Sequence, residues 1–281
     1  MAIFGRAWRL SIQINDTLKT YQEIDKSDES LKIDFSVKSA LDGEFTNGDL
    51  TISGLKLSDT AFLGTNYDNK TGELRQSELK LEVGYPNATA EILLGNIIEA
   101  TPNFNSPNNE INLKVKSGGF NNIDFSVCDS FNGAISFKTI CERVAQNNKV
   151  ALEFKTSENP ILQDYSFKGT PFQQIENLRK YVKSNIFLKN AKLCVFSDNQ
   201  SPYSITKIDY KSGLIGSPKP NPQGCEISCL LNPNLQVGQF VEFETLKIPQ
   251  LNGEYRIIEL THTGSNRGAD WFSNLVLTKA D

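Results

Sequence analysis

The side chains with the clearest potential for catalysis are few in this chain. His262 is the only histidine among 281 residues, so most zinc sites are excluded and only one Ser–His or Cys–His pair can form. It follows Thr261 near the end of an apolar run, where a histidine is more often a hydrogen-bonded structural residue than a catalyst. We therefore expect His262 to be structural.

Carboxylates are more numerous, but none is well placed for acid–base chemistry. A glycoside hydrolase needs two carboxyl groups in one cleft, one of them with a raised pKa. Glu142 could be proposed, yet Cys141 and Val144 beside it belong to an apolar stripe, which turns Glu142 towards solvent. No glycine-rich phosphate-binding loop is present. The sequence predicts no catalytic residue, no cofactor and no metal site, and hence a protein that is not an enzyme.

The cysteines are odd in number and widely scattered. They are Cys128, Cys141, Cys194, Cys225 and Cys229. Most lie in apolar runs, which is typical of buried free thiols in a reducing compartment. Cys225 and Cys229 are close in sequence, but no second cysteine pair or neighbouring histidine completes a tetrahedral metal site. We expect ordinary buried thiols.

The composition indicates a globular protein with no bulk preference for a polyanion. Hydrophobic residues make up 38% and charged residues 22% of the chain, and the formal net charge is −4, so neither a disordered chain nor a basic nucleic-acid binder fits. Residues Met1–Arg9 lack the apolar run of a signal peptide, and no segment approaches the roughly 20 apolar residues of a bilayer span. We expect a soluble protein without a membrane anchor, made in a cytoplasm.

The first part of the chain repeats a period-two alternation of apolar and polar residues, which predicts strands with one face in a core. The alternating or apolar runs are Trp8–Ile14, Leu31–Val37, Leu79–Tyr85, Ile92–Ile98 and Ile111–Val115. Turn signals separate them at Asp42-Gly43, Asn47-Gly48 and Asn105-Ser106-Pro107. This pattern predicts an antiparallel β domain.

Two amphipathic helices mark the middle of the chain. Ser136 can cap the first, and Thr170, Pro171 and Gln173 supply an N-cap, a first-turn proline and a capping box for the second. The buried stripes are Phe137, Ile140, Cys141, Val144 and Ala145, then Phe172, Ile175, Leu178 and Val182. A short apolar strand follows each helix, at Val150–Phe154 and Ile186–Leu188. The spacing fits either a duplicated helix–strand unit or two unrelated helices.

From about Lys192 the chain returns to short strands between loops rich in glycine, proline and asparagine. The strands are Leu193–Phe196, Gln239–Phe243, Tyr255–Leu260 and Trp271–Leu277. The predicted fold is therefore mainly β with a small α+β insert. We expect an antiparallel β domain at residues 1–125, a two-helix α+β insert at 126–200, and a second antiparallel β domain at 201–281.

Several of these stretches, taken in order, resemble one known family. They are Gly48–Leu55 (GDLTISGL), Leu79–Tyr85 (LKLEVGY), Ile92–Ile98 (ILLGNII), Tyr165–Thr170 (YSFKGT), Ser212–Pro218 (SGLIGSP), Leu230–Gly238 (LLNPNLQVG) and Tyr255–His262 (YRIIELTH), which leads to Asp270-Trp271-Phe272. Their order and spacing resemble the baseplate hub proteins of contractile-tailed bacteriophages, and also the amino-terminal part of type VI secretion spike proteins. The sequence departs from the pattern at the polar stretch Tyr21–Glu29.

The resemblance implies a structural role in the virion, at the tail baseplate, after assembly in the host cytoplasm. Such proteins carry two tube-like β domains per chain, so a homotrimer matches the sixfold tail tube on one side and the threefold central spike on the other. The implied partners are the tail tube, central spike, tape measure and baseplate wedge proteins. DNA would only pass through the lumen. Because the chain ends soon after the Trp271 strand, we expect the spike needle to be a separate protein.

Within the resembling stretches, each singled-out residue has a structural interpretation. We expect Gly95, Gly169, Gly216 and Gly238 to occupy tight backbone positions, Pro218 and Pro233 to fix turns, and Trp271 to lie in the core. The alternatives are a hub of a genome-free contractile injection or secretion particle, a peptidoglycan hydrolase and a receptor-binding β module. The last is disfavoured because Phe35, Phe125, Phe243 and Trp271 occupy alternating core positions.

Overall fold

A computed structural model describes residues 5–23, 31–41, 46–64, 77–104, 109–117, 127–148, 150–189, 192–197 and 203–279. The part before residue 118 forms strands and one short helix. These elements are β1 Ala7–Ile14, β2 Thr17–Gln22, β3 Lys32–Ala40, β4 Asn47–Ser53, α1 Leu57–Gly64, β5 Ser77–Tyr85, β6 Ala88–Asn103 and β7 Glu110–Lys116. We call this part the first β region.

The remaining elements fall into two groups. The insert contains β8 Val127–Ser130, β9 Ala134–Ser136, α2 Phe137–Asn147, β10 Ala151–Lys155, β11 Ile161–Gln163, β12 Ser166–Gly169, α3 Pro171–Leu178, β13 Asn185–Lys189 and β14 Lys192–Phe196. The last β region contains β15 Thr206–Ile208, β16 Leu214–Asn221, β17 Gly224–Leu230, β18 Phe240–Phe243, a 3-10 helix at Pro249–Leu251, β19 Gly253–Ser265 and β20 Trp271–Lys279. Among the described residues, no helix has the length and apolar character needed to cross a bilayer.

The two β regions share one sheet. Its strand order is β16-β17-β20-β19-β3-β4-β7-β6-β5-β1-β2, with β18 beside β19 and β15 beside β18. The regions meet where β3 pairs with β19 in antiparallel register, from Ala40 opposite Glu259 to Asp34 opposite Ser265. We call this contact the internal junction.

One face of the sheet carries the apolar side chains. A cluster under the first β region includes Trp8, Ile33 and Leu81, and a second cluster under the last β region includes Val241, Ile257 and Leu277. Trp271 comes from β20 but packs in the first cluster, where its ring meets Phe35 edge-on with 5.4 Å between centroids. Burying these apolar faces is the main favourable term in folding, so the two regions stabilise each other through Trp271.

The strand order is the same in both β regions. In the first it runs β3-β4-β7-β6-β5-β1, and in the last it runs β16-β17-β20-β19-β18-β15. The strands of the second series also occur along the sequence in the same order as their counterparts in the first. The series differ at their ends, because β1 is antiparallel to β5 whereas β15 is parallel to β18. They also differ in the link before β5 and β18, which contains α1 only in the first β region.

The insert has a core of its own. Helices α2 and α3 pack on the sheet β10-β14-β13 through a buried cluster that includes Phe137, Ile140, Ile175 and Val195. The caps are as predicted: Ser136 accepts a hydrogen bond from the Thr139 amide, and Thr170 and Gln173 form a capping box. On the other side of this sheet, Phe187, Cys194 and Phe196 contact Leu41, just after β3. The insert therefore contacts the first β region next to the end of the internal junction.

Two local predictions of secondary structure were wrong, and one helix was not predicted. Asn47-Gly48 is not a turn but lies in β4, where a Cβ at Gly48 would come within 2.3 Å of Leu93 Cδ2. Residues Leu57–Gly64 form a helix that the sequence did not reveal, because its one face in contact with the core contributes only Thr60 and Leu63 as buried residues. Val182 is half-buried but lies beyond the end of α3 at Leu178. Asp42-Gly43, Asn105-Ser106-Pro107 and Phe125 lie outside the described residues, as does most of Tyr21–Glu29.

Candidate functional site

His262 lies inside the sheet. Its side chain is 4% exposed, and its Nδ1 is 2.9 Å from Ser273 Oγ on β20. Ser273 is completely buried, and its Oγ also accepts a hydrogen bond from the Asn232 amide at 3.0 Å. A substrate cannot reach a serine in this position, so the pair acts as a buried hydrogen-bonded link between strands.

The other residues considered for chemistry are also structural in their surroundings. Glu142 is exposed on α2. Cys225 and Cys229 are buried on the apolar face of β17, where burial raises their thiol pKa values to about 11 and about 12. Both thiols are therefore protonated at neutral pH. Within the part of the chain that the structure describes, no group of three or more histidine, cysteine or carboxylate side chains could hold a metal ion.

The glycines singled out in the sequence occupy constrained positions. A Cβ at Gly95 would come within 2.3 Å of the Lys116 carbonyl oxygen. Gly216 and Gly238 have φ values of +73° and +82°, which favour glycine. A Cβ at Gly169 would approach Gln173 Oε1 to 2.7 Å, inside the capping box. The prediction is confirmed at Gly95 by the close backbone and at Gly216 and Gly238 by the positive φ, whereas the atoms near Gly169 belong to flexible side chains.

Pro233 lies in a turn and Trp271 in the core, as predicted, whereas the prediction that Pro218 fixes a turn was wrong. Pro233 lies in a turn closed by the Leu235 amide and the Asn232 carbonyl, 3.2 Å apart. Pro218 instead lies in an irregular stretch of β16, between Ile215 and Lys219, where the register with β17 shifts. Trp271 is 3% exposed, as expected for a core residue.

The face of the sheet opposite the apolar clusters carries many polar side chains. Polar side chains cover most of it from β16 across the internal junction to β6, and together with Val276 they line two shallow grooves. Its members include Lys219, Glu226, Ser228, Asn274, Glu259 and Thr261 in the last β region, and Thr263, Ser36, Asp34, Asp49, Thr51, Asn112 and Lys114 at and beyond the junction. We call this surface the polar face.

Lysines and carboxylates are paired on the polar face. Lys38 Nζ lies 3.0 Å from Glu259 Oε2 across the internal junction, and Lys114 Nζ lies 2.8 Å from Glu99 Oε2. The hydrogen bond between Lys114 and Glu99 raises the lysine pKa and lowers the glutamate pKa, so both remain charged at neutral pH. Exposed pairs of this kind add little stability. At these two places on the face, positive and negative charges cancel locally.

A β-bulge of the same sequence occurs at the same place in both β regions. In β6 the register with β7 shifts between Ile97 and Glu99, and in β19 the register with β20 shifts between Ile257 and Glu259. Both bulges read Ile-Ile-Glu. In β19 the bulge marks the change of neighbour from β18 to β3. Because an extra residue reverses the following side chains, each bulge decides which residues face the core.

In β6, no second strand takes the place of β5 beyond the bulge among the described residues. The pairing of β5 with β6 ends at Leu79 opposite Gly95, and no described residue pairs with that side of β6 beyond the bulge. The outer side of β16 is likewise unpaired among the described residues, since β16 ends the sheet. We call these the β6 edge and the β16 edge.

Both edges carry a proline whose nitrogen faces outwards. The Gly54 amide donates to the Asn109 carbonyl, so the backbone amide and carbonyl groups of odd-numbered β7 residues point to β4 and those of even-numbered residues point to β6. Pro102 lies opposite Ile111, so the backbone nitrogen of Pro102 points away from β7. The Leu231 amide donates to the Trp271 carbonyl, so the backbone amide and carbonyl groups of odd-numbered β17 residues point to β20. Pro220 lies opposite Cys225, so the backbone nitrogen of Pro220 points away from β17. Proline has no amide hydrogen, which suits an open edge.

The sequence interpretation did not identify these edges or the polar face as a unit. Two signals were present: the repeated Ile-Ile-Glu, and proline in two otherwise strand-like runs. Alternation showed which side chains face the core, but it carries no information on which strands are neighbours.

The fold is similar to those of solved phage tail proteins. A 43 kDa tail protein of prophage MuSo2 from Shewanella oneidensis matches with a TM-score of 0.69 at 12% identity, over 98% of each chain. A tail protein from Neisseria meningitidis MC58 matches with a TM-score of 0.68 at 11% identity, over 98% of this chain and 97% of that one. At such low identity the likeness concerns the fold alone.

A third structure links the fold to secretion systems. It is the Escherichia coli c3393 protein, described as a component of the type VI secretion system similar to the T4 tail proteins gp27 and gp5. It matches with a TM-score of 0.60 at 9% identity, over 89% of this chain and 73% of that one. No curated protein sequence matches this chain.

The family follows from a sequence match. The model of the family described as "Baseplate hub gp41" matches residues 13–276. The chain therefore belongs to this family of structural baseplate hub proteins, as its resemblance to phage hubs predicted.

Proposed function

We propose that this protein is the non-enzymatic hub of a contractile-tail baseplate, three copies of which form a ring between the sixfold tail tube and the threefold central spike. The observation that carries the proposal is the repeated strand order, β3-β4-β7-β6-β5-β1 and β16-β17-β20-β19-β18-β15. Two equivalent tube-like units in one chain supply six units in three chains, which reconciles the two symmetries. The units correspond to the domains expected at residues 1–125 and 201–281, with the insert at 126–200 outside them.

The internal junction supports this arrangement. It joins the two units side by side through β3 and β19, and the β6 and β16 edges are left at equivalent places. The same side-by-side contact can therefore be repeated between chains, from the β16 edge of one copy to the β6 edge of the next. Repetition of this contact closes a ring around an axis. The implied neighbours are the tail tube, spike, tape measure and wedge proteins.

The polar face is suited to line the channel. DNA sliding past a surface rich in unpaired lysines would be retained, because each neutralised phosphate releases counterions and adds affinity. On this face Lys38 and Lys114 are paired with Glu259 and Glu99. Local neutrality gives a passing polyanion no strong binding site.

Imaging and mass measurement test the ring. We expect light scattering at rising protein concentration to approach the mass of three chains, and negative-stain images to show rings with a central hole. If the free chain is monomeric, the same measurements are made with the spike protein added. A stable dimer, or a trimer without a hole, would contradict the proposal.

The channel is tested by reversing charge on the polar face. The variant Glu259→Lys, which also leaves Lys38 without its carboxylate, should bind linear double-stranded DNA in a low-salt gel-shift assay and slow genome release from assembled particles. Glu142→Lys on α2 makes a comparable charge change on the insert, away from this face, and should affect neither. Equal DNA binding by both variants would count against a polar-face channel.

A hub of a genome-free injection or secretion particle is the second candidate, favoured by the fold likeness to the E. coli secretion component. Antibody labelling of particles from the producing cells distinguishes the two. Label at the baseplate of DNA-filled virions supports the phage hub, and label confined to particles without heads supports the alternative.

A further inference from the structure

The internal junction can serve as a template for the contact between chains. It joins β3 of the first β region to β19 of the last. In the matched strand orders, the counterpart of β3 is β16 and the counterpart of β19 is β6. The outer sides of both strands are unpaired among the described residues, as are those of β2 and β15. The β6 edge of a second copy, placed beside the β16 edge of the first, would therefore reproduce the internal junction between chains.

The shared partners of these strands fix the equivalent residues. Val115 and Leu277 are equivalent because each pairs with the first isoleucine of a bulge, and they also pair with Gly48 and Cys225. Gly48 lies opposite Val37, and Cys225 lies opposite Pro220. The β16 residue equivalent to Val37 is therefore Pro220.

The same reasoning applies to the other strand. Counting from the bulges, Glu259 and Glu99 are equivalent, and three residues further along each strand come His262 and Pro102. In the internal junction Val37 lies opposite His262. The equivalent pair between two chains is Pro220 and Pro102.

We propose that the β6 edge of one chain lies antiparallel to the β16 edge of a second copy, with Thr101 opposite Asn221, Pro102 opposite Pro220, and Asn103 opposite Lys219. This contact rests on the proposed ring and specifies its register. Thr101, Asn221 and Lys219 then continue the polar face from one chain to the next. The contact places a hydroxyl beside an amide and an amide beside an ammonium group.

The two prolines make this contact different from the internal junction. There, the Leu41 amide donates to the Ile258 carbonyl and the Asn266 amide donates to the Ile33 carbonyl, so Val37 and His262 face each other across the ladder. Pro102 and Pro220 face each other at the equivalent place, and neither has an amide hydrogen. The central ladder bonds are therefore missing between chains. A free chain has edges that resist unspecific strand addition, and the ring depends on register-specific side-chain contacts.

Engineered disulfides test the register. Thr101→Cys/Asn221→Cys is made in a Cys128→Ser background, which removes the one exposed native thiol. Cα atoms of directly opposite antiparallel residues that do not face each other in the ladder lie about 4.5 Å apart, within disulfide range. Mild oxidation should yield a band of three covalently linked chains on a non-reducing gel. Lys38→Cys/Thr261→Cys is the matched control, since these residues are partners inside one chain; it should close a disulfide without adding mass.

A register control and a mass measurement separate this inference from the proposed function. Thr101→Cys/Lys219→Cys, displaced by two residues, should link at least tenfold more slowly. Trimers by light scattering without the Thr101–Asn221 link would overturn the register and leave the ring proposal standing. Linked species that extend beyond three chains would support the paired edges but contradict the closed ring. Absence of any trimer, with or without the spike protein, would contradict both.

Restoring the missing donors gives an independent readout. Pro102→Val/Pro220→Val returns an amide hydrogen to both edges, and each added hydrogen bond is worth a factor of about five in association. Analytical ultracentrifugation should show trimers with a dissociation constant lowered roughly tenfold or more. An unchanged dissociation constant, in a variant with unchanged monomer stability, would show that these edges do not meet.

Discussion

Equivalent strands in the two β regions have different sequences because they have different neighbours. β3 lies in the interior of the sheet, between β4 and β19, and alternates strictly, with Ile33, Phe35 and Val37 buried. β16 has the same place in its own region but lies at the edge, and it carries Pro218 and Pro220. A strand with two neighbours needs amide donors on both sides, whereas an edge strand can omit one row. The topology is duplicated, but the sequence of each strand is set by what lies beside it.

The largest expected effect concerns the side chain that the two regions share. Trp271→Ala should lower the free energy of unfolding by about 4 kcal/mol, because it opens a cavity against Phe35 in the core of the first β region. Denaturant unfolding followed by circular dichroism should still show one transition, at lower denaturant. Leu246→Ala, at a side chain 77% exposed, is the control and should change little. Two separate transitions in the parent chain would mean that the regions fold independently.

Proline at Val37 should convert the interior strand towards the edge type. Val37→Pro removes the amide that faces His262 and leaves a buried carbonyl unpaired, with a loss of about 3 kcal/mol. Pro220→Val makes the opposite change at the equivalent edge position and should alter monomer stability by less than about 0.5 kcal/mol. Chemical denaturation of the two variants measures the difference. Comparable losses in both would contradict the equivalence of the two positions.

A smaller effect is expected where one region has glycine and the other has a large residue. Gly95 and Tyr255 both lie two residues before the bulge isoleucines. Gly95→Ala places a Cβ about 2.3 Å from the Lys116 carbonyl oxygen, so β6 or β7 must shift, at a cost of about 2 kcal/mol. Tyr255→Phe, which loses only the hydroxyl bond to the Leu251 carbonyl, should cost about 1 kcal/mol. Thermal unfolding of both variants tests this order.

A comparable effect should come from the buried polar pair of the last β region, whose counterparts in the first are Pro102 and Ile111. Ser273→Ala removes a hydroxyl bonded to both His262 and the Asn232 amide and should cost about 2 kcal/mol. Assembled particles should retain infectivity at permissive temperature. If the pair were a catalytic serine and histidine, infectivity or peptidoglycan cleavage in a zymogram would instead be abolished while the fold persists.

The sequence predicted best what depends on local patterns. Alternation located β1, β3, β5 and β7 because each has one face in the core, and the Ser136 and Thr170 caps located the starts of α2 and α3. The sequence patterns did not predict α1, because few of its residues are buried. They also did not predict β16, because its prolines and irregular stretch interrupt the alternation.

The assembly edges could not be predicted in the same way. The pairing of β3 with β19 brings together residues more than 200 positions apart, and no local preference encodes such a contact. The two bulges further reverse the facing of Leu260 and Ala100, which simple alternation assigns to the wrong side. The resemblance to hub proteins identified the family, but the edges needed coordinates.

The bulge in β19 also limits how the chain can change during evolution. A chain that lost Ile258 would turn Leu260, His262 and Gly264 towards the polar face and move Thr261 into the apolar cluster, all in one step. Replacement of any one of these residues affects one position, whereas a change in length inverts the whole strand. We therefore expect natural variants of this hub to tolerate substitutions along β19. The number of residues from Tyr255 to the end of β19 at Ser265 should stay nearly fixed.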